Sequence, residues 1–136
     1  MLKFKKARRS GLSLVELLIA VGVLAVTMMS LVSFFVATTR MTEESRNLSL
    51  AVSHAQSVLE DIRAFGYSGV DTAITSGNWN WDQSALIARG MGALKAEAIY
   101  TTYSGSGLLT VNVAVQWQDT QNAVRRTYLA TALGGS

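Results

Sequence analysis

Apolar residues are concentrated near the start of the chain, where residues 17–37 contain neither a charged residue nor a proline. At a rise of about 1.5 Å per residue, a helix of this length measures about 31 Å. The hydrocarbon core of a bilayer is about 30 Å thick. Residues 17–37 are therefore predicted to form a membrane-spanning helix.

A second helical pattern follows this span without a break. Apolar residues recur there at steps of three and four, namely Leu48, Ala51, Val52, Ala55, Val58, Leu59, Ile62 and Phe65. The opposite face is polar and includes Asn47, Ser53, Ser57, Glu60, Asp61 and Arg63. Gly66 stops the pattern, as glycine commonly does just after a helix. One helix is thus predicted over residues 12–65, about 80 Å long, with its second half carrying a globular domain.

The last part of the chain alternates apolar and polar residues with a period of two. The clearest run is Leu109, Val111, Val113, Val115 and Trp117, which predicts a half-buried strand. Residues 96–103 and 124–133 are the candidate flanking strands, and a three-stranded antiparallel meander is the simplest topology. Because the stripe of the long helix is a natural cover for this sheet, an α+β fold is predicted, with a long N-terminal helix packed on a small antiparallel sheet.

The segment between the helix and the strands, residues 66–94, is rich in turn-forming glycine and asparagine. It is predicted to be loop-like, with a short helix possible at residues 83–89. Trp79 and Trp81 point to one side if this segment is locally extended. They are predicted to pack in the core, and a ligand platform or contact patch is the alternative.

Charge changes sign along the chain. The sequence carries 12 Lys and Arg against 9 Asp and Glu, but five of the basic residues lie in the first nine positions. From Leu12 onward, seven basic residues stand against nine acidic ones. The net charge of +3 therefore comes from the N-terminal cluster and indicates no nucleic-acid-binding surface. The same cluster predicts that residues 1–9 stay in the cytoplasm and that the C-terminal bulk lies outside it.

Residues suited to catalysis or metal binding are scarce. The chain has no cysteine, which excludes disulfides, thiolate catalysis and cysteine zinc sites. Its one histidine, His54, lies at the edge of the helical stripe and is predicted to be a surface or packing residue. Ser68 and Ser106 lack the spacing of a nucleophile elbow and are predicted turn residues. Glu60 and Asp61 are adjacent and so diverge on a helix. No enzyme activity, metal site or cofactor is predicted.

Glu16 is the unexpected residue, because it lies at the edge of the apolar span. A carboxyl group at membrane depth costs about 2.5–3.5 kcal/mol on insertion scales. One explanation is that Glu16 reaches headgroup water, since it follows Arg9 by only seven residues. A secretory signal peptide is one alternative for this segment, although such a peptide has a shorter apolar region and a small-residue cleavage site that is not evident here. A plain signal anchor remains an alternative, although neither targeting segment explains the carboxylate.

The string RSGLSLVELLIA, residues 9–20, resembles the leader of type IV prepilins and type II secretion pseudopilins. The resemblance implies that a membrane-embedded prepilin peptidase cuts between Gly11 and Leu12 and methylates the Leu12 amine. Glu16 then becomes the fifth mature residue, the family position whose carboxylate pairs with the N-terminal amine of a neighbouring subunit during assembly. The family usually has phenylalanine where this chain has Leu12.

The resemblance also implies a domain organisation and a function. Residues 1–11 would be the leader peptide, residues 12–39 the transmembrane and assembly half of the helix, and residues 40–136 the extracytoplasmic globular domain. The protein would be a minor pilin or pseudopilin of a type IV pilus, a type II secretion pseudopilus or a DNA-uptake pilus. Residues 111–133 also look like the C-terminal sheet of PilV-type minor pilins.

The partners and location follow from the same resemblance. The partners would be prepilin peptidase, other pilins or pseudopilins through the N-terminal helix, membrane lipid and an inner-membrane assembly platform. The protein would reside in the bacterial inner membrane with its C-terminus outside the cytoplasm, and then in a periplasmic or surface filament. The alternative from another class is a bitopic membrane protein that displays a sensing or binding domain.

Overall fold

The computed structural model describes residues 13–135 and has the predicted α+β architecture. In this range the chain forms first the helices α1 (Leu14–Phe65), α2 (Val70–Thr75) and α3 (Gln83–Ala88). The strands β1 (Lys95–Ser104), β2 (Leu108–Gln118) and β3 (Val124–Gly134) follow. They form an antiparallel sheet in the order β1-β2-β3, so the predicted meander is confirmed.

The chain divides into two compact units at the boundary between Met41 and Thr42, and α1 runs through that boundary. In the first unit, the described large apolar side chains are exposed, from Leu14 at 77% to Val36 at 43%. The most apolar 18-residue window of α1 has a mean hydropathy of 2.4 and no buried residue. By length and composition this helix is able to cross a membrane.

Hydroxyl side chains in the first unit bond back to their own helix. Thr27 donates to the Leu24 carbonyl at 2.8 Å, and Ser30 and Ser33 donate to carbonyls four residues earlier at 2.9 Å each. In hydrocarbon, a polar group needs such an internal partner because water is absent. These hydroxyls are therefore compatible with the membrane span predicted for residues 17–37.

In the second unit, one face of α1 is buried. Its buried residues are Ala51, His54, Ala55, Val58, Leu59 and Ile62. This face is narrower than the predicted stripe, because Leu48 and Phe65 remain 48% and 52% exposed. The helix ends where predicted, since Gly66 adopts a left-handed backbone with φ of 88° and donates its N–H to the Ile62 carbonyl at 3.2 Å.

Strand β2 supplies the centre of the core. Its predicted alternation is confirmed, because every second residue from Leu109 to Trp117 is buried and the residues between them are partly exposed. The neighbouring strands pair with it in register, with Ile99 opposite Val115 and Leu129 opposite Val113. The inner face of β2 and the buried face of α1 belong to one hydrophobic cluster.

The segment between Phe65 and Lys95 is more ordered than the sequence predicts. Helix α3 lies in the predicted range, and Asp82 caps it by accepting a hydrogen bond from the Ala85 N–H at 2.9 Å. The prediction of a loop was wrong for α2, whose six residues are too few to show a helical period. Gly69 enters this helix with φ of 80°, a conformation that glycine adopts without strain.

The two tryptophans pack in the core, as predicted. Trp79 and Trp81 are 7% and 8% exposed. Trp81 also forms an isolated antiparallel bridge with Ile99, with N···O distances of 3.0 and 2.8 Å. Asn80 Oδ1 accepts from the Thr101 N–H at 2.8 Å. The segment thereby covers part of the outer edge of β1, where unpaired backbone groups would otherwise be open to other chains.

A fragment of residues 42–136 is expected to fold by itself, because the buried apolar residues of the described chain all follow Thr42. Circular dichroism should show mixed helix and strand with a cooperative thermal transition. A fragment of residues 66–136 is the control. It lacks the buried face of α1 and should be unfolded, because the inner face of β2 would be uncovered. An unfolded longer fragment or a folded shorter one would contradict this account.

Candidate functional site

The structure describes the predicted assembly residue but not the predicted processing site. Gly11 and Leu12 lie outside the described residues. Glu16 lies in the first turn of α1 with an exposed side chain. Among residues 13–135, no hydrogen bond or ion pair to its carboxylate is found.

The surroundings of Glu16 are strongly apolar. Leu17, Leu18 and Ile19, which follow it directly, expose 57%, 67% and 63% of their surface. Within the described part of the first unit, the other charged residue is Arg40, more than six helical turns along α1. The Glu16 carboxylate is thus a single negative charge near the beginning of an apolar helix. Any positive charge that compensates it has to come from outside residues 13–135.

A second polar feature lies in the globular unit and joins α1 to β1. His54 Nδ1 and Glu97 Oε1 are 2.6 Å apart, and the side chains are 11% and 0% exposed. Gln83 on α3 supports the pair, because its Oε1 accepts from the Glu97 backbone N–H while its Nε2 donates to the Leu94 carbonyl at 3.1 Å. Within the described chain, Glu97 Oε2 is a buried oxygen without a hydrogen-bond partner.

The electrostatics of this pair are dominated by burial. Burial raises the pKa of the Glu97 carboxyl above its ordinary value, while the hydrogen bond and the charge of His54 act in the opposite direction. His54 is therefore the group that offsets part of the cost of burying the Glu97 carboxylate. Removing it would leave Glu97 with an uncompensated charge in the core.

Sequence reasoning identified only half of this pair. His54 was predicted to be a surface or packing residue, and it is indeed packed, at 8% exposure. Its partner was missed although a signal was present. In the predicted strand 96–103, Glu97 alternates in phase with Ile99 and Thr101, and all three are buried. A carboxylate on the inner face of a strand needs a partner from the covering helix.

The remaining candidate residues do not assemble into catalytic or metal-binding groups. Among residues 13–135, no cluster of three or more His, Cys, Asp or Glu that could hold a metal is present. Glu60 and Asp61 are exposed on α1. Ser68 and Ser106 line one open cleft, whereas the hydrogen bond found for the His54 side chain goes to Glu97.

Comparison of this chain with protein-family models, with curated protein sequences and with solved structures finds no match in any of the three.

The effect of burying Glu97 can be measured from how the free energy of unfolding changes with pH. His54→Leu is expected to lower the free energy of unfolding by about 3–5 kcal/mol at pH 7, because it leaves a buried charge unpaired. The folded-state pKa of Glu97 is raised, so its protonated form stabilises the fold at acidic pH, and this stabilisation is lost as the pH rises through the folded-state pKa. Urea unfolding of the His54→Leu chain should therefore show stability falling between pH 4 and pH 7.

The control for this measurement is the double variant His54→Leu/Glu97→Gln, in which neither residue titrates. Relative to it, the single variant should lose up to about 1.4 kcal/mol for each pH unit between the unfolded and folded pKa values of Glu97. Parallel stability curves for the two variants from pH 4 to pH 7 would show that Glu97 does not titrate as a buried group.

Proposed function

We propose that this chain is a minor pilin or pseudopilin, a structural subunit held in the bacterial inner membrane before it is assembled into a helical filament. The observation that carries the proposal is the position of Glu16. It is an unpaired carboxylate within the described chain, it lies in the first turn of a 52-residue helix with an apolar first half, and it follows the leader glycine Gly11 by five residues. The sheet domain carried by the second half of α1 is compatible with the architecture that this family would require.

The proposed mechanism is mechanical assembly. Prepilin peptidase removes residues 1–11 and methylates Leu12, and the new amine becomes the positive partner of a carboxylate on a neighbouring subunit. In surroundings of low dielectric constant, an amine and a carboxylate reduce each other's burial penalty, and their pairing sets the axial register between helices.

Extraction from the membrane is nearly neutral in hydrophobic terms, because apolar helices exchange lipid for one another. Directed assembly therefore needs an external source of work, which the family resemblance provides as a cytoplasmic ATPase acting through a membrane platform. The subunit itself would need neither a catalytic group nor a cofactor.

Processing at Gly11 is the first test of this proposal. When the chain is co-expressed with a prepilin peptidase, intact-mass measurement should show loss of residues 1–11 and the added mass of one methyl group on Leu12. Gly11→Val should keep the leader, because a β-branched side chain would occupy the place of a bare backbone in the peptidase site. Ser10→Ala is the matched control and should be processed normally. A wild-type chain that retains its leader would instead support the bitopic sensing or binding protein.

Glu16→Ala should separate membrane insertion from assembly. Insertion should be unchanged or improved because the desolvation penalty disappears. Recovery in sheared surface filaments, measured in cells that contain the major pilin, should fall by about tenfold or more, which corresponds to about 1.4 kcal/mol or more of lost pairing. Leu18→Ala, which truncates an exposed neighbour without changing charge, should assemble normally.

The competing explanation, in which Glu16 only reaches headgroup water, predicts a different result. Glu16→Ala and wild type would then be recovered equally from filaments at equal membrane abundance. That outcome would remove the pairing role of Glu16 even if the leader is processed.

A further inference from the structure

An open cleft lies in the globular unit at the place where α1 ends. One wall is the segment from Tyr67 to Asp71, and the other runs from the end of β1 at Tyr103 through the turn to Leu109 on β2. The cleft has a volume of about 530 Å³. This lies within the range of about 300–1,000 Å³ that is typical of small-molecule sites.

The cleft combines two aromatic side chains with an apolar base. Tyr103 is 39% exposed and Tyr67 is half-buried, while Leu109 is 7% exposed. The backbone of Gly135 lies against the Tyr67 ring so closely that a Cβ atom there would be 2.9 Å from Cε1. One tyrosine is thus held in place by main chain, which limits the conformational entropy lost when a ligand binds.

The backbone of the cleft also includes glycines in conformations that residues with side chains rarely adopt. Gly69, Gly105 and Gly107 line it with φ of 80°, 101° and 85°. A Cβ atom on Gly105 would collide with the Leu108 carbonyl oxygen. These glycines shape the walls without filling the space, so a ligand can approach the backbone closely.

Several polar groups in the cleft are uncommitted. Among the described residues, no hydrogen bond is found to the hydroxyls of Ser68, Ser106, Tyr67 or Tyr103. The hydrogen bonds found for the Asp71 carboxylate, from Thr72, both go to Oδ1, which leaves Oδ2 available as an acceptor. Hydroxyls that both donate and accept therefore stand beside a free carboxylate oxygen and two aromatic faces.

We infer that this cleft is a binding site for a neutral saccharide, with Tyr67 and Tyr103 as stacking surfaces and Asp71, Ser68 and Ser106 as hydrogen-bonding groups. A sugar ring offers apolar C–H faces to aromatic rings and hydroxyl groups around its edge, which matches this lining. The inference concerns residues 67–109 and the contact of Gly135 with Tyr67, and it does not rest on the proposed function.

The charge of the lining selects against other ligands. Among the described residues that line the cleft, Asp71 is the charged one, and no Lys or Arg is present. Phosphorylated or carboxylated ligands would therefore meet a negative charge with no compensating cation. A purely apolar ligand would leave the hydroxyls and the carboxylate without partners. A neutral, hydroxyl-rich ring avoids the charge repulsion and also provides hydrogen-bond partners for the hydroxyls and the carboxylate.

Binding should be measured on the full chain in a detergent that has no sugar headgroup. The neutral probes are maltotriose, cellotriose and triacetylchitotriose, and 3′-sialyllactose is the acidic counterpart. Their binding is measured by saturation-transfer NMR and by calorimetry. The wild-type chain should bind at least one neutral trisaccharide and should not bind the acidic one. Asp71→Asn, a change on the surface, and Tyr103→Ala should each weaken binding by about tenfold or more.

Tyr128→Ala is the matched control, because Tyr128 is 64% exposed on β3 and lies outside the cleft. It should bind as wild type does, and circular dichroism should confirm that each variant is folded. The inference is overturned if none of the three neutral probes binds, if 3′-sialyllactose binds as well as they do, or if either Asp71→Asn or Tyr103→Ala leaves binding unchanged.

Discussion

Helix α1 carries two different surfaces along one continuous run of residues, and the globular unit depends on the second of them. The first half of α1 exposes apolar side chains around its whole circumference, and its hydroxyls bond to its own carbonyls. The second half is apolar on one face only, and that face is buried with the inner side of β2. Because the chain contains no proline, the helical hydrogen bonds can continue without a break from the first half of α1 to the second.

The buried pair of His54 and Glu97 differs from the other polar contacts described between α1 and the sheet, Arg63 with Thr131 and Glu44 with Arg125, which are exposed. A well-packed apolar pair would be at least as stable in many proteins, because desolvation of two ionisable groups offsets much of their attraction. The pair does define geometry, however. A carboxylate on the inner face of β1 is tolerated where His54 meets it, so a slip of α1 by one turn would leave Glu97 unpaired.

The parts of the fold with a clear period could be predicted from sequence. The alternation from Leu109 to Trp117 and the end of α1 at Gly66 were found as expected, because burial of one face imposes a period of two or of 3.6 residues. Helix α2 could not be predicted, since six residues contain less than two turns. Leu48 fits the stripe but is 48% exposed, because it lines an open cleft with Trp117 and Arg125 instead of packing in the closed core.

Glu16 was singled out from the sequence for a different reason, because a carboxylate is unexpected beside an apolar span. The role proposed for Glu16 rests on the energy of a carboxylate in apolar surroundings rather than on a periodic pattern. A carboxylate in the first turn of a helix gains about 0.3–1 kcal/mol from the helix dipole. That gain is smaller than the cost of about 2.5–3.5 kcal/mol for a carboxyl group at the centre of a bilayer. For a helix that moves from the headgroup region into apolar surroundings, as proposed for α1, the balance becomes unfavourable unless a cation accompanies the carboxylate. A helix that only anchors a domain has no such movement to make, whereas a subunit that leaves the membrane for a filament does.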